Sequence, residues 1–197
     1  TEKKLLIFTN IGKVYSIHAN KLKIKNNDFE PIRKYLNLTQ DEYILHVNEY
    51  SLDGPDLILI SKKGKGMISK QKEMLTSTRN GKVVMNLARG VSVCAVRQVS
   101  GSHIAVINDS GNLLVFSHED IKRLSRGSGI IFQNLKNGTI IDITSANPNE
   151  VINLVNKNTS RSIIKIDARD YVGERGRIGK SLKLRNSSNI PLLRFFK

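Results

Sequence analysis

The chain has 197 residues, 39% of them apolar, and carries 32 Lys and Arg against 17 Asp and Glu, a formal net charge of +15. That apolar fraction supplies a core and excludes a purely disordered tail, while so one-sided an excess is more than solubility requires and points to a polyanion, most often nucleic acid. No apolar run approaches the roughly 18 residues of a spanning helix and no basic amphipathic helix stands out, so a membrane is set aside as the partner.

The chain opens on Thr1 rather than Met and is read as a piece of a longer protein, with no signal or transit sequence at its start. From there, Leu5–Phe8 leads through a polar turn at Gly12 into Val14–Ile17, and the pattern runs on to Leu22. Leu57–Ile60 repeats it through Gly64 into Met67–Ser69 and on to Met74, and Ile104–Ile107 repeats it through Gly111 into Leu113–Phe116 and on to Ile121. The glycines fall in register at offsets of 52 and 47 residues. A degenerate fourth copy runs from Val151–Val155 to Ser162–Ile166, with Thr159 in place of the glycine. Two short apolar runs about a residue that tolerates positive φ form the pattern of a β-hairpin.

A third strand-like piece follows at Lys82–Leu87, Gly129–Leu135 and Ser181–Leu184, and a fourth at Tyr43–Tyr50, Ser92–Val99, Thr139–Thr144 and Ile190–Phe196. Four short strands per repeat of about fifty residues predict an all-β, propeller-like array of about four four-stranded blades, with little helix. The second and third strands are joined by long basic connections, which include Lys70–Met74 and Ile121–Gly129. Strands of one ordinary blade are joined by tight turns, so these connections predict that hairpins are exchanged between blades. With no linker in the chain, one domain spanning residues 1–197 is expected, its repeats at about 1–52, 53–100, 101–147 and 148–197.

The cations cluster in turns and connections. Lys62, Lys63, Lys65, Lys70, Lys72, Arg79, Lys82 and Arg89 fall between positions 61 and 90 against Glu73 alone. Arg175, Arg177, Lys180, Lys183, Arg185, Arg194 and Lys197 follow position 172 against Glu174 alone. Such residues neutralise phosphates without reading bases, and nearby glycines let backbone N–H groups approach them. The candidate DNA-contacting set is Lys13, Lys62, Lys63, Lys65, Lys70, Lys72, Arg79, Lys82, Arg123, Arg126, Arg175, Arg177, Lys180 and Lys183. The bland alternative for any one of them is solvated surface charge.

Other chemistry is poorly represented. Cys94, the one cysteine, lies in the apolar run Val91–Val96 and reads as a core residue, and cysteine poverty fits a reducing cytosol. His18, His46, His103 and His118 show no metal-ligand spacing, and neither a catalytic site nor a cofactor is expected. Gly179-Lys180-Ser181 brushes against a phosphate-binding loop, but Glu174 occupies the position where that motif needs glycine. With no Trp and 6% aromatics, a platform for stacking single-stranded bases is disfavoured. Asp109, Asp142 and Asp167 do not recur at matching repeat positions, which counts against an enzyme at the propeller axis.

The hairpin phrases at residues 5–22 (LLIFTNIGKVYSIHANKL), 57–74 (LILISKKGKGMISKQKEM) and 104–135 (IAVINDSGNLLVFSHEDIKRLSRGSGIIFQNL) resemble the C-terminal repeat of the A subunits of gyrase and topoisomerase IV. The closing YVGERGRIGKSLKLR at 171–185 resembles the end of a topoisomerase IV A subunit. The resemblance implies a β-pinwheel that binds duplex DNA along a basic outer rim, bends it, and presents it to a catalytic core. It also implies that this core belongs to the same polypeptide, that an ATPase B subunit works through it, and that the setting is the bacterial cytoplasm and nucleoid. The catalytic tyrosine of such enzymes lies upstream of this region, so Tyr15, Tyr35, Tyr43, Tyr50 and Tyr171 are not read as nucleophiles.

The gyrase branch carries a Gln-Arg-Arg-Gly-Gly-Lys-Gly box. Ser125–Gly129 and Gly173–Gly179 are the nearest stretches and neither matches, which favours relaxation and decatenation over supercoiling. A gyrase-type wrapping domain and a protein-binding scaffold stay open as alternatives.

Overall fold

The computed structural model describes residues 3–22, 24–25, 28–156, 163–183 and 193–196. In the first repeat, Lys4–Thr9 (β1) and Lys13–His18 (β2) form the hairpin, Ile24–Lys25 (β3) pairs with Asp28–Phe29 (β4), and Ile44–Glu49 (β5) returns along β1. The second repeat contains Leu57–Ser61 (β6), Lys65–Ser69 (β7), Lys82–Val83 (β8) and Val93–Gln98 (β9). The third contains His103–Asn108 (β10), Asn112–Ser117 (β11), Ile130–Ile131 (β12) and Ile140–Ala146 (β13). The fourth contains Val151–Asn156 (β14), Ile163–Asp167 (β15), Lys180–Ser181 (β16) and Leu193–Phe196 (β17). The only helical elements among the described residues are four 3-10 turns.

The sheet orders are β5-β1-β2-β8, β9-β6-β7-β12, β13-β10-β11-β16 and β17-β14-β15, all antiparallel. The exchange expected from the long connections is therefore present, and it runs backwards: β8, β12 and β16 each complete the blade of the preceding repeat. The fourth sheet has three strands among the described residues rather than four. Its Thr159 turn lies outside those residues, as do Leu184, Ile190 and the cations Arg185 and Lys197. The strands β5, β9, β13 and β17 touch one another in series, which makes them the inner strands and puts the two-residue strands at the outside.

The long apolar runs follow from blades buried on both faces. Side chains alternate across a strand, so odd and even positions serve different interfaces. Leu6 and Phe8 meet Leu57 and Leu59 between the first and second blades. Ile58 and Ile60 meet Ile104 and Val106 between the second and third. Ala105 and Ile107 meet Ile152 and Leu154 between the third and fourth. Each such Leu or Ile contributes about 1.5–3 kcal/mol by leaving water. The remaining face of the first blade, with Ile7, Tyr15 and Ile17, is covered by the chain around Leu36.

The turn glycines have a second task besides positive φ. Gly12 (φ 78°) and Gly64 (φ 81°) each accept two backbone N–H bonds through their carbonyl oxygens, from Val84 and Met85 and from Phe132 and Gln133. The exchanged segment thereby lies against the turn itself, and a Cβ on Gly12 or Gly64 would stand 2.3 or 2.2 Å from a carbonyl oxygen of that segment. The same capture explains why β8 and β12 are shorter than the sequence pattern predicts: after two ladder residues the backbone turns onto the glycine carbonyl. In all three complete blades the register also shifts one strand-end earlier, at Phe8/Thr9, Ile60/Ser61 and Ile107/Asn108. Such a bulge bends the strand into its turn.

Candidate nucleic-acid interface

Backward exchange puts basic residues at the outer edges. At the first blade Lys13 pairs with Val83 and Val14 with Lys82. At the second blade Lys65 pairs with Ile131, whose carbonyl accepts a 2.8 Å bond from the Arg175 guanidinium. At the third blade Lys180 pairs with Leu113. Charged residues on an outer edge also keep it from pairing with another chain, so part of this pattern protects the fold.

The connections leading into the outer strands carry most of the remaining candidates. Lys70 and Lys72 flank Gln71 on the 3-10 turn Gln71–Met74, and they share a groove of about 340 Å³ with Arg123, Leu124 and Ser125. At the opposite end of β7, Lys63 and Lys65 border a second groove of about 430 Å³, whose far wall includes Asn86 and Ser128. A five-residue strand separates the two, about 17 Å of rise. Arg126 reaches back from the third repeat to Asn86 Oδ1 at 3.2 Å, beside Gly127, whose carbonyl accepts the Asn86 N–H.

The candidates divide by what their charges already do. Lys62, Lys63, Lys65, Lys70, Lys72 and Lys183 are exposed, and none has a side-chain hydrogen bond or ion pair among the described residues. Lys13 stands 6.0 Å from the Tyr15 ring centre. Lys82 and Lys180 donate to the carbonyls of Glu73 and Asp170. Arg177 pairs with Glu174 at 2.8 Å on the open surface, where such a pair stabilises little and yields readily to a phosphate. Arg79 donates to the carbonyls of Lys34 and Tyr35. Arg123 is turned inward, 2.9 Å from Asp56 and bonded to the carbonyls of His118 and Ile121. Its first task is to hold the connection to the blade.

Residues 3–28, 55–100 and 102–147 match the family described as the DNA gyrase C-terminal domain, a beta-propeller. The chain belongs to this family. The A subunit of DNA topoisomerase 4 from Rickettsia bellii is 27% identical over 184 residues, covering 91% of this chain and 24% of the relative. Its counterpart from Caulobacter vibrioides is 32% identical over 148 residues, covering 75% of this chain and 19% of the relative. The chain thus spans about a fifth to a quarter of the length of these curated relatives. In fold it is similar to the ParC C-terminal domain of E. coli, with a TM-score of 0.79 at 20% identity over 94% of this chain and 78% of that one.

Within this gyrase C-terminal family, the two stretches compared with the gyrase box, Ser125–Gly129 and Gly173–Gly179, both lie in the connections that feed outer strands. Tyr15 is buried, and its hydroxyl donates to Glu42 at 2.9 Å; burial first, then that bond, push its pKa well up. Cys94 packs against the core between the second and third blades, its thiol pushed up to about 12 chiefly by burial. No cluster of three or more His, Cys, Asp or Glu suited to a metal occurs among the described residues, and no described helix is long and apolar enough to cross a membrane.

The sequence reading passed over Lys4, Lys21 and Lys34, which meet Arg79 around a cleft on the first blade. Each has another cation within two residues, at Lys3, Lys23 and Arg33, but the three are spread from position 4 to position 34, so nothing local marks them as one group.

Proposed function

We propose that this chain is the duplex DNA-binding and bending domain of a type IIA topoisomerase of the topoisomerase IV kind, carried on its A subunit. DNA runs along the outer edges and the connections that lead into them, held by phosphate contacts rather than by base reading. The observation that carries this reading is the backward exchange, which puts Lys65 and Arg175, from different repeats, on either side of Ile131 at one outer edge. Cations of the second and fourth repeats thereby meet at an edge strand supplied by the third, instead of forming separate patches.

Bending 20–30 bp costs about 1–6 kcal/mol elastically, which several phosphate contacts along a curved path offset. The catalytic core of the same polypeptide would then receive the bent segment, with an ATPase B subunit driving relaxation, decatenation and chromosome segregation in a bacterial cytoplasm. The absence of a gyrase-type box among the exposed connections supports this branch over supercoiling.

The test is duplex affinity measured against salt, with donor and acceptor dyes on the DNA ends. Affinity falling by roughly 0.9 log units per log salt for each phosphate neutralised, with shortened end-to-end distance, supports the reading. Salt-indifferent or absent binding, or straight DNA in the complex, overturns it.

A further inference from the structure

A large cleft lies at the end of the first blade opposite its Gly12 turn, beside the connection that leads into β8. It has a volume of about 610 Å³ and is bounded by the start of β1, the end of β2, the 3-10 turn Ile32–Lys34 with its continuation, and residues 75–79 of the second repeat. Its basic lining residues are Lys4, His18, Lys21, Lys34 and Arg79, and its hydroxyls come from Ser16 and from Thr76, Ser77 and Thr78; among the described residues no carboxylate lines it.

The walls are braced against each other. Arg79 donates to the carbonyls of Lys34 and Tyr35, its own carbonyl accepts from the Asn37 N–H at 2.8 Å, and Asn37 Nδ2 donates to Asn80 at 2.8 Å. The Thr76 N–H donates to Ser16 Oγ at 3.0 Å, tying the incoming segment to β2. Lys34 is paired with Glu30 at 3.1 Å, but the ammonium groups of Lys4 and Lys21 have no ion-pair or hydrogen-bond partner among the described residues. A preformed concavity with two uncommitted ammonium groups and hydroxyl-bearing side chains, at whose wall the Glu30 carboxylate is already taken up by Lys34 and Tyr35, suits a multiply charged oxyanion.

We infer that this cleft is a binding site for a phosphate-bearing anion, formed in part by the connection into β8 and lying at the far end of the first blade from the Gly12 turn. The ligand is an oligophosphate chemically, whether it comes from a DNA backbone or from a free polyphosphate. The site does not depend on the outer edges touching DNA. Lys4 and Lys21 supply the charge, Ser77 offers a hydroxyl, Thr76 and Thr78 shape the wall through their bonds to each other and to the Gly81 carbonyl, and Arg79 holds the two walls in position.

The probe is sodium tripolyphosphate, titrated calorimetrically into the 197-residue chain. Three proteins are compared: the unaltered chain, the cleft variant Lys4→Gln/Lys21→Gln, and the edge variant Lys62→Glu/Lys63→Glu/Lys65→Glu, each checked for folding by circular dichroism. Saturable binding that weakens at least about tenfold in the cleft variant and stays within about twofold in the edge variant is the expected result. No saturable binding, or equal loss in both variants, overturns the site. Competition with a short duplex then assigns the source. Displacement of tripolyphosphate by duplex marks a backbone-phosphate site, and simultaneous occupancy marks a free-anion site; both support the inference. Loss of duplex affinity in the edge variant is read separately, so failure of one reading leaves the other measurable.

Discussion

The guanidinium of Arg97 lies 2.9 Å from the carboxylate of Asp142, joining the inner strand of the second blade to that of the third. Asp142 also accepts the backbone N–H of Ile143 at 2.8 Å and of Phe195 at 3.0 Å, so one carboxylate holds three successive blades together. The acid is 1% exposed and its partner 37%. Burial raises the Asp142 pKa, and the Arg97 charge and the two N–H bonds act against that rise.

Asp142→Ala is expected to destabilise the chain by about 3 kcal/mol, at the low end for a broken buried pair because water can reach Arg97. Arg97→Met should cost less, since Asp142 keeps two N–H donors and can take up a proton. Urea unfolding of both variants checks the order. Equal losses would mean that the ion pair, not the junction with Phe195, carries the stability.

Gly64 and Gly90 both hold positive φ, at 81° and 76°, but only Gly64 has another segment against it; nothing stands within 4 Å of a Cβ at Gly90. Gly90→Ala should therefore cost about 1–2 kcal/mol, the left-handed strain alone. Gly64→Ala adds a clash with the Gln133 carbonyl and should cost at least about 3 kcal/mol, strain and overpacking together. Thermal melts of the two proteins side by side provide the comparison.

The Lys62→Glu/Lys63→Glu/Lys65→Glu variant is expected to weaken duplex binding and to make log affinity less steep against log salt by up to about 2.7, if all three lysines neutralise phosphates. Unchanged affinity would remove this turn from the DNA path.

Arg123→Ala separates a brace from a contact. Its pair with Asp56 is partly buried, with side-chain exposures of 30% and 23%, and its other bonds go to backbone carbonyls. Stability should fall by about 1–2 kcal/mol, while duplex affinity, measured where the variant is fully folded, changes less than in the triple-lysine protein.

Burial first, and then the Arg97 charge, hold the His46 imidazole below its ordinary value of 6.5. The unfolded chain therefore takes up that proton before the folded one does as pH falls. Its contribution to stability is complete above about pH 6.5 and is lost on acidification toward the depressed folded pKa. Melting temperatures between about pH 5 and 8 should decline toward acid, and His46→Gln should flatten that decline.

The hairpins, the turn glycines and the fact of exchange are all legible in the residues, because alternation and a recurring Gly report local geometry directly. The direction of exchange is not, since it depends on which glycine carbonyl captures the segment after β8 or β12, a contact between repeats. The lysines about the Gly64 turn, Lys62, Lys63 and Lys65, are legible as a cluster because they lie within four positions of one another. Arg123 looks equivalent to them, but its partner Asp56 is 67 residues away and gives no local signal. For the same reason the cleft formed by Lys4, Lys21, Lys34 and Arg79 becomes a group only once β2 and the incoming segment lie side by side.

The first blade's inner three strands end at Glu49, yet its outer strand is not reached until Lys82 and Val83. During synthesis each blade therefore waits, one strand short and with its turn carbonyl unclaimed, until the ribosome has made part of the next repeat. A deletion of the second repeat would injure the first as well, so whole repeats are not interchangeable cassettes. Growth or loss of blades in such a chain requires breakpoints that fall within repeats, so that each borrowed strand travels with the hairpin it completes.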